Sequence, residues 1–111
     1  MKRGELWSVD FGSPSGPEQA GLRPAILFQD DVFTAALTTV IVLPLTTNLK
    51  RLSLPTTLLI PAGEGGLQQD SVVLCHQVQV RGKVRLLNRL GELSPERFAE
   101  VQDCLLTTLG M

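Results

Sequence analysis

The chain has 111 residues, 43% of them hydrophobic and 19% charged, a composition that predicts one folded domain over residues 1–111 and excludes a long disordered tail. Ten Lys and Arg against eleven Asp and Glu give a formal net charge of −1, which argues against a surface that is basic all round and leaves room for a local basic patch. No apolar run approaches the roughly eighteen residues that span a bilayer, and the start Met1-Lys2-Arg3-Gly4-Glu5 lacks the apolar stretch of a signal peptide, so a cytoplasmic protein without a membrane partner is expected.

Residues 5–11 alternate Leu6, Ser8 and Asp10 with Trp7, Val9 and Phe11, the period of a strand whose aromatic face points inward. Gly12-Ser13-Pro14-Ser15-Gly16-Pro17 is dense in turn formers, and the loop it opens runs for about eleven residues, longer than ordinary hairpin connections. Arg23-Pro24 leads into Ala25-Ile26-Leu27-Phe28-Gln29, a continuous apolar run that suits a strand buried on both faces, ended by Asp30-Asp31. Residues 38–47 are rich in β-branched side chains and predict a third strand, with Pro44 at an edge or a bulge. Residues 48–53 carry Lys50 and Arg51 on a second exposed loop, and 54–61 resume the strand pattern. Gly63 to Gly66 reads as a turn, and 71–80 as one long fifth strand with His76 in its mostly apolar register. Residues 81–93 begin with helical spacing and end in a short strand. Ser94-Pro95-Glu96 then supplies an N-cap, a proline for the first turn and an acid at the helix start; Phe98, Val101, Leu105 and Leu109 form one stripe, and Gly110 stops the helix. The sum is a mainly β (α+β) fold: five to six mostly antiparallel strands curled into a small barrel, with a C-terminal helix packed against it.

Cys75 and Cys104 are too few for a zinc site and lie among apolar neighbours, so they read as buried thiols. With one His and no suitably spaced acid cluster, no metal site and no cofactor are expected. Two polar loops between strands remain. Arg23 either pairs with Asp10 or Glu18 as a loop anchor, or joins a threonine at the end of the third strand to bind a phosphate, since guanidinium is a planar two-pronged donor and a hydroxyl adds a third.

Arg3-Gly4-Glu5-Leu6-Trp7-Ser8-Val9-Asp10-Phe11, followed by Gly16-Pro17-Glu18-Gln19-Ala20-Gly21-Leu22-Arg23-Pro24, resembles the opening of the MazF/PemK family of toxin endoribonucleases. Pro44-Leu45-Thr46-Thr47, Leu54-Pro55-Thr56-Thr57 and the block from Gln69 to Val78 match its later segments in order. The resemblance implies an SH3-like barrel that forms a homodimer, cuts single-stranded RNA at short motifs, and is neutralised by a cognate antitoxin. It implies Arg23 and Thr46 as catalytic residues, with Thr47 as rival to Thr46 because a one-residue shift exchanges the faces of a strand. Glu18 would orient Arg23 or accept the 2′-OH proton, Gln77 would read a base edge, and Gln19, Thr47, Lys50 and Arg51 would support or bind the substrate. His76 stands where the family commonly has an acid. The implied reaction is metal-independent attack of the ribose 2′-OH, giving a 2′,3′-cyclic phosphate and a 5′-OH. A gyrase-inhibiting toxin like CcdB, or a member that binds protein without cleaving, shares the fold and remains the alternative.

Overall fold

The computed structural model describes residues 1–13 and 20–111. In chain order the described residues form β1 (Glu5–Asp10), β2 (Leu22–Leu27), α1 (Asp31–Ala36), β3 (Thr39–Thr46), β4 (Thr57–Ile60), β5 (Ser71–Leu74), β6 (Gln79–Gly82), β7 (Leu86–Glu92) and α2 (Pro95–Leu109). Every strand pairing is antiparallel, in the order β4-β5-β3-β2-β1-β7 with β6 also on β3. Seven strands are present where five or six were expected, and the path ends at β4 and β7 without closing a barrel.

The extra strand comes from the segment read as one long fifth strand. Its first half, β5, pairs with β3 at Leu45 and Thr46, and its second half, β6, pairs with the same strand from Thr39 to Val42. The register against β3 slips by three residues between the two halves. That is the length of the 3₁₀ turn Cys75–Gln77 that is looped out between them. His76 is therefore exposed on a turn, and Gln77 stands on that turn rather than on a strand. Pro44 is neither at an edge nor in a bulge. It is buried opposite Ala25 of β2, at the junction where the other edge of β3 passes from β6 to β5, so its missing N–H interrupts neither ladder. Residues 83–85 form a 3₁₀ turn and β7 follows, in place of the helical start expected there.

Both faces of the sheet are apolar. Val9, Phe11, Ala25, Leu27, Val40, Val42 and Leu86 form a cluster on one face, with Trp7 half-buried against it. On the other face Leu6, Ile26, Leu43, Leu45, Ile60 and Val73 pack under Val101 and Leu105 of α2. Each such side chain contributes about 1.5–3 kcal/mol of transfer free energy, so the two clusters carry the fold. Helix α2 has the ends its sequence foretold: Ser94 Oγ accepts from the Arg97 N–H, and Gly110 takes the left-handed conformation that closes the last turn. Its Phe98 stacks on Phe28 at 5.1 Å, with the Arg3 guanidinium 4.9 Å from the Phe98 ring centre. Leu109, the last residue of the predicted stripe, is exposed.

Glu5 is the most deeply buried acid among the described residues. Its Oε1 accepts from the Lys2 N–H and Trp7 Nε1, and its Oε2 from Arg89 Nε at 2.7 Å. Burial alone would raise its pKa, but the Arg89, Lys2 and Trp7 hydrogen bonds outweigh that effect and hold it at about 2. On the neighbouring side, Gly65 and Gly66 run against the backbone of β7: a Cβ on Gly66 would overlap the Leu90 carbonyl oxygen, and one on Gly91 would meet the Gly65 carbonyl.

Candidate functional site

Strands β2 and β3 bring the two foremost candidates together. Ala25 is opposite Pro44 in the ladder, and continuing that register two residues toward the strand ends sets Arg23 opposite Thr46 on the same face. Directly opposed residues of antiparallel strands have Cβ atoms about 4.5–5.5 Å apart, close enough for a guanidinium and a hydroxyl to converge on one phosphate. Thr47 lies on a bend beyond the last residue of β3, so the extended register opposes Arg23 to Thr46 and not to its rival.

Neither side chain is consumed by the fold. Arg23 is exposed and, among the described residues, makes one side-chain hydrogen bond, from Nε to the Ala20 carbonyl at 3.2 Å. That contact fixes the base of the guanidinium and leaves its terminal nitrogens to donate outward. Pairing with Asp10 does not occur: Asp10 takes the Gly12 N–H on one oxygen and Arg85 on the other at 3.2 Å. The Thr46 hydroxyl is nearly buried and accepts from the Asn48 N–H, which aims its own proton away from the backbone. Glu18 and Gln19 lie outside the described residues.

Asn48 caps the 3₁₀ turn Leu49–Ser53 through the Lys50 N–H, and this turn carries Lys50 and Arg51 along the rim next to Thr46. The Lys50 side chain is exposed, whereas Arg51 Nη2 lies 3.4 Å from His76 Nε2. Because guanidinium only donates, that contact makes Nε2 the acceptor and puts the ring proton on Nδ1, 2.7 Å from Thr56 Oγ1. His76 thus holds Arg51 in place, and its basic nitrogen is already engaged. Gln77 sits on the same turn, half-buried. The link between His76 and the Lys50–Arg51 turn was invisible in the sequence, because it joins residues 25 positions apart through a turn that the period of two concealed.

On the other side of the strand ends lies a cleft of about 220 Å³ whose lining includes Pro24, Thr47, Leu67, Gln68, Gln69 and Leu90. The sequence assigns no role to Gln68, and Gln69 only heads the block that runs to Val78. Among the described residues no group of three or more His, Cys, Asp or Glu side chains converges. Of the two cysteines expected to be buried, Cys75 is buried under α2 whereas Cys104, on that helix, is only half-buried; burial and the neighbouring thiol push the Cys75 pKa far above the ordinary range.

Comparison with known proteins adds an independent line. The family described as PemK-like, MazF-like toxin of type II toxin-antitoxin system matches residues 2–109. A curated relative from Staphylococcus saprophyticus subsp. saprophyticus, named Endoribonuclease MazF, is 32% identical over all of this chain and 92% of its own length. The crystal structure of MazF from Deinococcus radiodurans superposes with a TM-score of 0.85 at 27% identity, covering 100% of this chain and 97% of that one. A crystal structure described as MazE-MazF from the same organism gives a TM-score of 0.80 at 27% identity, covering 100% and 96%. A mycobacterial endoribonuclease, solved in complex with its cognate antitoxin, shares the fold at a TM-score of 0.83 and 23% identity, covering 100% of this chain and 96% of that one.

Proposed function

Because the chain belongs to the PemK-like, MazF-like toxin family of type II toxin–antitoxin systems, we propose that this toxin endoribonuclease cuts single-stranded RNA at short sequence motifs by a metal-independent transesterification. The ribose 2′-oxygen bonds to the adjacent phosphorus as its proton passes to a base, and the bond from phosphorus to the 5′-oxygen breaks as that oxygen gains a proton. The products are a 2′,3′-cyclic phosphate and a 5′-OH. The observation that carries the reading is the β2–β3 register, Ala25 opposite Pro44, which extended by two residues sets Arg23 against Thr46 at the ends of the two strands.

The transition state is a phosphorane with added negative charge on its equatorial oxygens. Donors fixed before the reaction lower its energy most, because no dipole has to reorganise as the charge grows. Arg23 is held at Nε by the Ala20 carbonyl and offers its terminal nitrogens; Thr46 is held by the Asn48 N–H and offers its proton. Arg23 acts as an electrostatic clamp rather than a base, since guanidinium keeps its proton below a pH of about 12. Glu18 then takes the 2′-OH proton or orients Arg23. Lys50 and Arg51 bind backbone phosphates without reading sequence, and Gln77 and Gln19 contact the substrate near the cut.

The protein works as a homodimer and is held inactive by a cognate antitoxin. Exposed apolar side chains are consistent with such partners: Val84, Leu87 and Leu109 all present more than half their surface, whereas Leu86 faces the core.

Mixed-sequence single-stranded RNA, incubated in EDTA with the wild type, Arg23→Ala, Thr46→Val and Thr47→Val, tests the reading. Cleavage at a short repeated motif with cyclic phosphate ends is expected, falling about 100- to 1,000-fold in the first two variants and retained in the third. Intact RNA from folded wild type would favour the protein-binding alternative.

A further inference from the structure

We propose that the cleft beside the Arg23–Thr46 pair is a nucleobase subsite, in which one unstacked base adjoining the scissile bond is read by the amides of Gln68 and Gln69. The proposal rests on the protein being an endoribonuclease and says which part of it selects sequence.

Size comes first. At about 220 Å³ the cleft is smaller than the roughly 300 Å³ at which sites for whole small molecules begin, and suits one planar ring system. Its walls fit that occupant: Pro24, Leu67 and Leu90 are flat or apolar surfaces against which a base can pack. Sequence-specific binding of single-stranded RNA works in this way, by splaying a base out of the strand, packing its faces and hydrogen-bonding its edge.

The polar groups are the second observation. Gln68 and Gln69 are exposed, and their side-chain amides make no hydrogen bond among the described residues; the Thr47 hydroxyl makes none either. Ser71 also lines the cleft, but its hydroxyl is committed to the Gln69 carbonyl at 3.0 Å. A carboxamide presents a donor and an acceptor side by side, which complements a base edge that does the same and mismatches one that does not.

These amides are not on a loose loop. Leu67 before them is buried, its N–H bonded to the Glu64 carbonyl and its own carbonyl accepting from Gly63. Asp70 after them takes the Ala62 N–H at 2.8 Å, and the Gly65–Gly66 backbone is pressed against β7. Gln68 and Gln69 span the two residues between fixed points, so their rotamer freedom is the main cost of binding.

Position is the third observation. Pro24 and Thr47, which line the cleft, are the chain neighbours of Arg23 and Thr46, about 3.8 Å on along the chain; Pro24 alternates with Arg23 to the opposite face of β2, and Thr47 follows the last residue of β3. A phosphate clamped by Arg23 and Thr46 therefore sits at the ends of β2 and β3, and a base from an adjoining nucleotide reaches the cleft by turning round those strand ends. The proposal separates chemistry, on one face, from selection, on the other.

The test is cleavage of a randomised single-stranded RNA pool by wild type, Gln68→Ala, Gln69→Ala and the double variant, with fragment ends sequenced and thermal melting recorded. The expected result is a wild-type motif in which one position loses its discrimination about 10-fold or more in the variants while the other positions keep theirs, at unchanged melting temperature. Variants that cut with the full wild-type preference, or that lose rate equally at every motif, overturn the subsite while the endoribonuclease reading stands. A wild type that cuts no RNA removes the reading beneath it. Preference left intact while affinity for the antitoxin falls would instead give the cleft to the protein partner and also overturn the proposal.

Discussion

Replacing Glu5 by Gln isolates one buried charge without disturbing its packing. The Gln carbonyl keeps the place of Oε1 and still accepts from the Lys2 N–H and Trp7 Nε1, while its NH₂ meets Arg89 Nε, so the contact to Arg89 is lost together with the longer ion pair to the Met1 ammonium at 3.8 Å. The carboxyl is held at about 2 against an ordinary 4.5, and each unit corresponds to about 1.4 kcal/mol. The ceiling at neutral pH is therefore roughly 3 kcal/mol; Arg89 is half exposed and solvent screens it, so we expect Glu5→Gln to cost about 1–2 kcal/mol at pH 7. Because the folded pKa is depressed, this stabilisation is present above about 4.5 and is lost as the pH falls toward 2. Urea unfolding of both proteins at half-unit steps from pH 7 to pH 2 should show two stability curves that converge below pH 4.5. A difference that stays constant over the whole range would mean that shape and not charge is responsible, and would refute the argument.

Gly66→Ala, in which the new Cβ meets the Leu90 carbonyl oxygen at positive φ, should lower the urea-derived stability by more than about 2 kcal/mol; Gly63→Ala, also at positive φ but with open space around it, should cost only about 1–2 kcal/mol. Equal losses would show that backbone conformation, not the close approach to β7, sets the cost. Iodoacetamide at pH 8 should modify Cys104 well before Cys75, whose thiol is buried with its pKa pushed up; peptide mapping that found Cys75 labelled as fast as a free thiol would contradict the packing under α2. Arg3→Ala should destabilise by about 1 kcal/mol through loss of the cation from the Phe28–Phe98 stack, with Arg3→Lys between it and wild type in thermal melting.

Where local chemistry decides an element, the sequence was enough. Helix α2 announced both of its ends, through Ser94 with Pro95 and through Gly110, and β2 announced burial on both faces by its unbroken apolar run. Helix α1 was passed over for a physical reason: it is six residues long, capped by Asp30, and buries only Thr34 while Val32 and Phe33 face outward, so it leaves no apolar stripe to find. The break between β5 and β6 was hidden because a three-residue turn is too short to upset an alternating pattern. Pro44 misled for a different reason: its tolerance depends on a change of neighbour along β3, which is a property of topology. At the site, Arg23 and a threonine at the end of the third strand stood out as a phosphate-binding pair from residue chemistry, and the family resemblance made Thr46 the choice. What opposes Arg23 to Thr46 is a register extended past the last ladder pair, and Thr47 already lies beyond the strand. The cleft was out of reach altogether, since Pro24, Thr47, Gln68 and Leu90 come from four separate stretches of chain.

The looped-out residues Cys75–Gln77 suggest how such a scaffold diversifies. The register pairs on both edges of β3, three with β2, two with β5 and four with β6, constrain any residue inside those ladders, whereas His76 and Gln77 belong to no ladder at all.

 Among the described residues His76 is held by the Arg51 and Thr56 contacts, so an exchange at this position rewrites what the rim displays while every rung of the sheet stays in place. Cys75 anchors the turn in the core under α2, and the three-residue slip leaves His76 and Gln77 as its outer positions. Exchanging those two residues while keeping Cys75 is accordingly a direct route to altering the rim without redesigning the core.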